Sequence, residues 1–304
     1  MALRTRLTDL IRIEHPIISA PMAMTAGGRL AAAVSSAGGL GLIGGGYGDA
    51  AWLEREFAQA RPARIGCGFI TWSLAEHPFL LDAALAHRPA AVMLSFGSPA
   101  RFVPPIKAAG ALAMCQVQSM ELAREALDAG ADVLIAQGAE AGGHGMARAT
   151  LTLVPEVADF LAARAPDTVL VAAGGIADGR GLAAALMLGA DGVLVGSRFM
   201  ASAEALLSAP SQEVALALDG DATTRTSEID IAHNTAWPAQ FTGRAIRTRP
   251  IDDYRDRELE AVAGLGEAAG LIHEVRPAAD VLRQIAAEAE RLLCDKGPAF
   301  VRAA

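Results

Sequence analysis

Short apolar runs alternate with alanine-rich stretches along the first two thirds of this 304-residue chain. The apolar runs are almost continuous, which is typical of parallel strands that are buried on both faces of a sheet. The stretches between them have helical periodicity, and most end at or near a glycine, a common helix stop. The pattern predicts eight strands: Pro16–Met22, Leu40–Ile43, Arg64–Ile70, Ala91–Phe96, Ala111–Val117, Val133–Gln137, Val169–Ala173 and Gly192–Val195.

Eight strand–helix units in about 200 residues predict an α/β fold, a (β/α)8 TIM barrel. We place the barrel unit in residues 1–210 and expect a C-terminal helix within 276–304 to complete it, because an apolar stripe runs along that stretch. Residues 211–275 are expected to form a small, mainly helical or irregular excursion on the substrate side. Its aperiodic part, 219–250, contains Trp237, and we predict a lid over the site rather than a loop packed on the barrel's flank.

An open, doubly wound sheet is the alternative architecture. The stretch Gly39–Gly44 reads GLGLIG and matches the GxGxxG pattern of dinucleotide-binding folds. In those folds the glycines follow a strand, open a helix and precede an acidic residue by about 20 positions. Here they follow a helix and coincide with a strand, and Arg64 and Ile65 stand in the place of the acid. We therefore favour the barrel.

Composition excludes several classes of protein. A net charge of −8 and an aromatic content of 5% disfavour a nucleic-acid partner, which needs a basic surface. The cysteines Cys67, Cys115 and Cys294 form no CxxC pair, so we expect reduced thiols in a cytoplasmic protein. The uncharged stretch 30–48 is interrupted by serines and glycines, and the charged stretch 1–16 lacks an apolar signal core. We accordingly expect neither a membrane segment nor a secretion signal.

Glycine-rich turns follow the seventh and eighth predicted strands, where barrels commonly bind a phosphate group. Gly174 and Gly175 follow the seventh strand, and Gly196 and Ser197 follow the eighth. Glycine lets backbone N–H groups approach a phosphate, and a following helix adds a favourable dipole. The alternative is a pair of tight turns that bind nothing. The occurrence of both turns at these two strands favours the phosphate site.

His144 is the candidate for proton transfer or anion recognition. It stands in the glycine-rich stretch 137–145 after the sixth predicted strand, whereas the other five histidines lie in polar or helical surroundings. Imidazole titrates near neutral pH and can exchange protons there. The alternative role for His144 is to cap the loop, and we expect Glu140 to order that loop through backbone N–H groups. The sequence contains no metal-ligand, GxSxG or Walker motif.

Five sequence blocks together carry a likeness to a known family. They are PIISAPM at 16–22, AVSSAGGLG at 33–41, QGAEAGGH at 137–144, AGGIADGRG at 173–181 and GSRF at 196–199. Through these blocks the chain resembles the nitronate monooxygenases, formerly called 2-nitropropane dioxygenases, which are FMN-dependent TIM-barrel enzymes. The blocks span most of the predicted barrel, and EAGGH and AAGGIADGRG are the most specific of them.

The resemblance implies an FMN site built from the ends of several strands. Residues after the first strand would lie along the isoalloxazine ring, glutamines would reach its polar parts, and glycines would lie near its lower chain and its phosphate. In that order they are Ala20, Pro21 and Met22; Gln116 and Gln137; Gly142 and Gly143; and Gly174, Gly175, Gly196 and Ser197. His144 falls on the family's catalytic histidine. In two departures, Cys67 stands where relatives often carry asparagine beside the flavin, and Gln116 where reducing relatives tend to carry lysine.

Two flavin-dependent activities are compatible with this resemblance. The first oxidises alkyl nitronates with O₂ to a carbonyl compound and nitrite, and acceptance of neutral nitroalkanes is left open. The second uses NAD(P)H to reduce a quinone or an enoyl thioester. Gln137 before EAGGH, together with Gln116, favours nitronate oxidation, and a non-enzymatic flavin or phosphate-ligand sensor ranks third. The expected partners are a small-molecule substrate and O₂, without nucleic acid or membrane, and a homo-oligomer is left open.

Overall fold

The computed structural model describes residues 3–247 and 264–296, and a barrel of eight parallel strands forms its centre. The barrel strands are β1 Ile17–Ser19, β2 Leu42–Gly44, β3 Gly66–Ile70, β4 Ala91–Ser95, β5 Leu112–Val117, β6 Val133–Gln137, β7 Val169–Ala173 and β8 Gly192–Val195. Hydrogen-bonded neighbours run in the order β1-β8-β7-β6-β5-β4-β3-β2. A parallel bridge between Ile18 and Leu40 joins β1 to the start of the β2 segment. The predicted (β/α)8 barrel is confirmed.

Alternation along the strands separates an inner from an outer core. One buried cluster fills the barrel and includes Ile18, Met93, Met114, Ile135 and Val171. The residues between them belong to a larger cluster that also contains the apolar faces of the helices. Because successive strand residues point to opposite faces, each strand serves both layers, which explains the continuous apolar runs in the sequence.

Helices cover the outside of the barrel and link its strands. They are α1 Arg6–Ile11, α2 Gly28–Ser36, α3 Ala50–Ala60, α4 Thr71–Glu76, α5 Phe79–Ala86, α6 Val103–Ala108, α7 Met120–Asp128, α8 Thr150–Arg164, α9 Gly179–Met187, α10 Ser197–Met200, α11 Ala209–Leu216, α12 Glu228–Ala232 and α13 Ala278–Arg291. Asp49, Ser119 and Asp178 accept hydrogen bonds from backbone N–H groups at the starts of α3, α7 and α9. Helix α13 packs against α9 and α2, so it completes the outer layer of the barrel. Residues 297–304 of the predicted terminal helix lie outside the described residues.

The excursion after β8 contains a β-ribbon that the sequence pattern did not predict. Strand β9, Thr223–Thr226, pairs antiparallel with β10, Gly243–Ile246. Strand β9 consists of four mostly polar residues, too few to produce a recognisable alternation. An antiparallel bridge between Gly145 and Thr242 joins the chain just before β10 to the loop that follows β6. The excursion thereby contacts the barrel at its carboxyl end.

Candidate active site

The carboxyl ends of the strands bring most of the predicted site residues to one mouth of the barrel. Ala20 and Met22 follow β1, Gly196 follows β8, and these two strands pair directly. A Cβ atom placed on Gly196 would lie 3.6 Å from Ala20 Cβ and 3.8 Å from Met22 Sδ, so these two turns are in contact. Pro21 lies beside β3, since its Cγ atom is 2.3 Å from the position of a Cβ on Gly68. A larger residue at position 68 would displace Pro21 from this mouth.

Three buried glutamines connect β5 and β6 at the same mouth. The side-chain amides of Gln116 and Gln118 both donate to Oε1 of Gln137, at 3.0 and 2.8 Å. The amide of Gln137 donates in turn to the backbone carbonyl of His144 at 3.1 Å. Within the described part of the chain, Oε1 of Gln118 is buried and accepts no hydrogen bond. A ligand bound at this mouth can donate a hydrogen bond to that oxygen.

Gln118 was not predicted from the sequence to be a site residue, although the spacing of the glutamines indicates it. It stands two residues after Gln116, and alternate residues of an extended strand share a face. A second glutamine at this spacing indicates that the polar face continues beyond the end of β5.

Two arginines of the β-ribbon, the partly buried Arg225 and the buried Arg244, hold the loop that follows β6. Arg225 donates to the carbonyls of Ala139, Ala141 and Gly143 at 3.0, 2.9 and 3.3 Å. Arg244 donates to the carbonyls of Ala139 and Ala141 as well. Burial, reinforced by the charge of Arg244, lowers the pKa of Arg225 to about 10, so its guanidinium is still protonated at neutral pH. These arginines shape the loop, and neither was predicted from the sequence to be a site residue.

Contacts at its two ends further restrict the same loop. The carboxylate of Glu140 accepts from the Thr150 N–H at 3.0 and 2.9 Å, so it ties the loop to the start of α8, whereas we had expected it to bind N–H groups of the loop itself. A Cβ on Gly142 would lie 2.0 Å from the carbonyl oxygen of Gly264, which only glycine avoids. Gly143 adopts a φ of 62° and donates to the same carbonyl at 3.0 Å. Packing therefore requires a glycine at position 142, and the left-handed backbone favours one at position 143.

The glycine turn after β7 has a left-handed backbone, and the turn after β8 carries a buried hydroxyl. Gly174 and Gly175 have φ values of 107° and 74°, in the left-handed region that favours glycine. The side chain of Ser197 is buried, and its hydroxyl oxygen accepts from the Gly266 N–H at 2.8 Å. The hydroxyl hydrogen of Ser197 remains available as a donor. Asp178 caps helix α9 directly after the first turn and fixes where that helix begins.

His144 lies over this mouth and contacts the excursion on two sides. Its Nε2 atom is 2.8 Å from Oδ1 of Asp230 in α12. Its imidazole stacks on the indole of Trp237, with ring centroids 3.5 Å apart and planes inclined by 4°. The imidazole is 17% exposed, so it is held in place yet open to solvent or ligand. A histidine in this position can exchange a proton with a small molecule at the mouth.

Aromatic rings from three loops and the excursion extend the wall that begins at Trp237. Phe96 lies 5.1 Å from Trp237 and 5.2 Å from Phe241, and Trp72 lies 5.4 Å from Trp237. Tyr47 completes the group at 6.1 Å from Trp72. Such a wall excludes water and favours the apolar part of a ligand. Only Trp237 was identified from sequence; Phe241 lies in the same excursion, and Tyr47, Trp72 and Phe96 come from three separate segments of the barrel.

Cys67 faces away from the mouth. Its neighbours Gly66 and Gly68 point inward, toward Leu42 and Pro21, whereas Cys67 belongs to the outer core between strands and helices. The side chain is fully buried, and this burial raises the pKa of the thiol far above its ordinary value. A contact between Cys67 and a ligand in the barrel mouth would therefore have to come from its backbone.

Comparison with known proteins identifies the family. The sequence profile described as nitronate monooxygenase matches residues 4–64 and 78–282. The chain belongs to the nitronate monooxygenase family. A nitronate monooxygenase of Neurospora crassa is 35% identical over 335 aligned positions, which cover 90% of this chain and 89% of that protein. This membership makes the protein an oxidoreductase and confirms the family resemblance.

Solved structures agree with the assignment to this family. FabK from Thermotoga maritima is similar with a TM-score of 0.84 and 30% identity, covering 98% of this chain and 100% of that one. A nitroalkane oxidase from Streptomyces ansochromogenes has a TM-score of 0.76 and 26% identity over 98% of this chain and all of its own. In this family member, the described residues hold no cluster of three or more potential metal ligands. No helix among them has the length and apolarity to cross a membrane.

Proposed function

We propose that this protein uses FMN to oxidise alkyl nitronates with O₂, giving a carbonyl compound and nitrite. One observation carries the proposal within this family: His144 stands over a glycine-lined barrel mouth, stacked on Trp237. Small apolar substrates with a delocalised negative charge suit such a mouth, because aromatic rings border it and an imidazole can carry a compensating charge.

The residues at the mouth fit a flavin mononucleotide. The turns at Gly174, Gly175 and Gly196, with the Ser197 hydroxyl, would hold its phosphate, and Gly142 and Gly143 would lie near its lower chain. Ala20, Pro21 and Met22 would lie along its ring system, while the glutamines at 116 and 137 would meet its polar edge. The Oε1 atom of Gln118, which accepts no hydrogen bond within the described residues, would supply one more acceptor for that edge. Bound at these residues, FMN would supply the redox chemistry that moves electrons from the substrate to O₂.

The protein's own groups control charge, protons and water around the substrate. As imidazolium, His144 holds the negative charge of a nitronate; as neutral imidazole, it takes the α-proton of a nitroalkane. The rings of Trp72, Phe96 and Trp237 keep water from the reacting carbon. The arginine-bound loop after β6 fixes the height of His144 above the mouth.

Reduction of a quinone or an enoyl thioester by NAD(P)H is the second candidate. The likeness to FabK supports it, though less strongly than the nitronate monooxygenase relatives support oxidation. We further propose that the protein is cytoplasmic and acts without nucleic acid or membrane partners, as its acidic composition suggests. A small-molecule substrate and O₂ are then its partners.

Anaerobic mixing of the yellow protein with one reductant at a time tests the proposal. We expect rapid bleaching of the flavin absorbance with propyl-2-nitronate, recolouring on admission of O₂, and nitrite release. Rapid bleaching only with NADPH or NADH supports the reductase and contradicts the proposal. Protein that binds flavin but is not bleached by propyl-2-nitronate, NADPH or NADH indicates a sensor. Mass spectrometry of the released cofactor distinguishes FMN from FAD.

A further inference from the structure

Asp230 reaches into the barrel mouth from outside the barrel. It lies in the short helix α12, 86 residues after His144, and its Oδ1 atom is 2.8 Å from His144 Nε2. The two side chains are 10% and 17% exposed, so the contact lies largely out of solvent. The other carboxylate oxygen of Asp230 is buried without a hydrogen-bond partner among the described residues. The strongest polar contact of this buried carboxylate is therefore the one to His144.

This contact selects one arrangement of protons on the imidazole. A carboxylate only accepts hydrogen bonds, so Nε2 carries the proton that it donates to Oδ1. Nδ1 of His144 then has a free lone pair, and it contacts no hydrogen-bond partner in the described part of the chain. The stacked indole of Trp237 holds the plane of the ring. The nearby Arg225 donates its hydrogen bonds to backbone carbonyls and not to Asp230 or His144.

We propose that Asp230 is a positioning residue that prepares His144 Nδ1 to take the α-proton of a neutral nitroalkane. The inference rests on the proposed function. The proton moves from the α-carbon to Nδ1, and the electron pair of the broken C–H bond stays on the substrate as the nitronate. The resulting imidazolium donates from Nε2 to the Asp230 carboxylate, which offsets its new charge. A nitronate has already lost that proton, so its oxidation depends less on Asp230.

Kinetics on a nitroalkane and on its own nitronate separate this role from a structural one. At matched flavin occupancy, Asp230→Asn should lower kcat for 2-nitropropane at least about tenfold more than kcat for propyl-2-nitronate, because the amide offers no charge and can favour the other tautomer. Asp230→Glu should recover part of the loss. Glu228→Gln is the matched control, since Glu228 lies exposed on the same helix and should leave both rates unchanged.

A spectroscopic measurement tests the pair without turnover. In the flavin-loaded protein labelled with ¹⁵N-histidine, long-range proton–nitrogen correlations should show neutral His144 protonated at Nε2, with the signal assigned by its loss in His144→Asn. Asp230→Asn should change that tautomer, and Glu228→Gln should not. An Nδ1-protonated His144 in the wild-type protein overturns the proposal.

Failure of the proposed function can be distinguished from failure of the role proposed for Asp230. Wild-type protein that consumes no nitronate contradicts the proposed function, whatever the tautomer of His144. Wild-type protein that consumes nitronate but no nitroalkane, or equal losses on both substrates in Asp230→Asn, overturns the role of Asp230 and leaves the proposed function standing.

Discussion

Replacing Gly175 with aspartate tests the phosphate cradle most directly. Gly175 has a φ of 74°, and a Cβ at this position would lie 3.2 Å from Glu140 Cβ, a tight but adjustable contact. Asparagine and aspartate tolerate the left-handed region better than other L-residues, and both introduce the same volume. Gly175→Asn is therefore the matched control, which carries the strain and the crowding of Gly175→Asp without its charge.

The difference in FMN affinity between Gly175→Asp and Gly175→Asn reports the negative charge of the bound phosphate. A carboxylate about 5 Å from one phosphate charge costs about 3 kcal/mol at an effective dielectric constant of about 20. That energy corresponds to about a 10²-fold increase in Kd for FMN. Strain from the left-handed backbone, about 1–2 kcal/mol, affects both variants alike and largely cancels in their comparison.

The assay is reconstitution of the apoproteins with FMN, followed by quenching of flavin fluorescence. We expect Gly175→Asp to bind about 10²-fold more weakly than Gly175→Asn, with a gap that narrows as salt is added. Similar unfolding midpoints of the two apoproteins would establish that the barrel is intact. Equal Kd values for the aspartate and asparagine variants would refute a phosphate site at this turn, and FAD as the released cofactor would contradict the FMN assignment.

Three further predictions concern the histidine, the lid and a helix cap. His144→Asn should slow nitroalkane oxidation by about 10²- to 10⁴-fold and nitronate oxidation less; kcat/KM for both substrates at matched flavin content checks this, and no loss on either would remove His144 from the site. Trp237→Ala should raise the preference for long over short nitronates roughly tenfold by opening the aromatic wall, measured as a ratio of kcat/KM values; an unchanged ratio would contradict a lid role. Asp178→Ala should lower the free energy of unfolding by about 0.5–2 kcal/mol. Although burial alone raises the pKa of Asp178, hydrogen bonds from Arg180 and the α9 backbone bring it below the ordinary 3.8. The cap is therefore fully effective above that pH, and urea titrations should show the difference from wild type vanishing as pH falls through the lowered pKa.

Local patterns in the sequence were sufficient for the barrel and for its glycine turns. Three strands, Val133–Gln137, Val169–Ala173 and Gly192–Val195, have the bounds predicted from sequence. Continuous apolar runs between helical stretches arise from burial on both faces, which is a local property of each strand. Gly174 and Gly175 likewise stand where the backbone has a positive φ, and this too is a local property of the chain. Family membership added the roles proposed for these residues.

Tertiary structure decided which side chains meet at the mouth. Cys67 and Gly68 are neighbours in sequence, yet Cys67 faces the helices and Gly68 faces Pro21. Successive residues of a strand point to opposite faces, and the way β3 sits in the barrel decides which residue faces inward. Asp230 joins His144 across 86 residues, and Arg225 binds carbonyls of the same loop at a similar separation. No short-range pattern encodes such contacts, since they depend on how the β-ribbon and α12 dock on the finished barrel. The sequence determined the scaffold and its glycine turns, and packing of the excursion against the barrel determined the surroundings of the histidine.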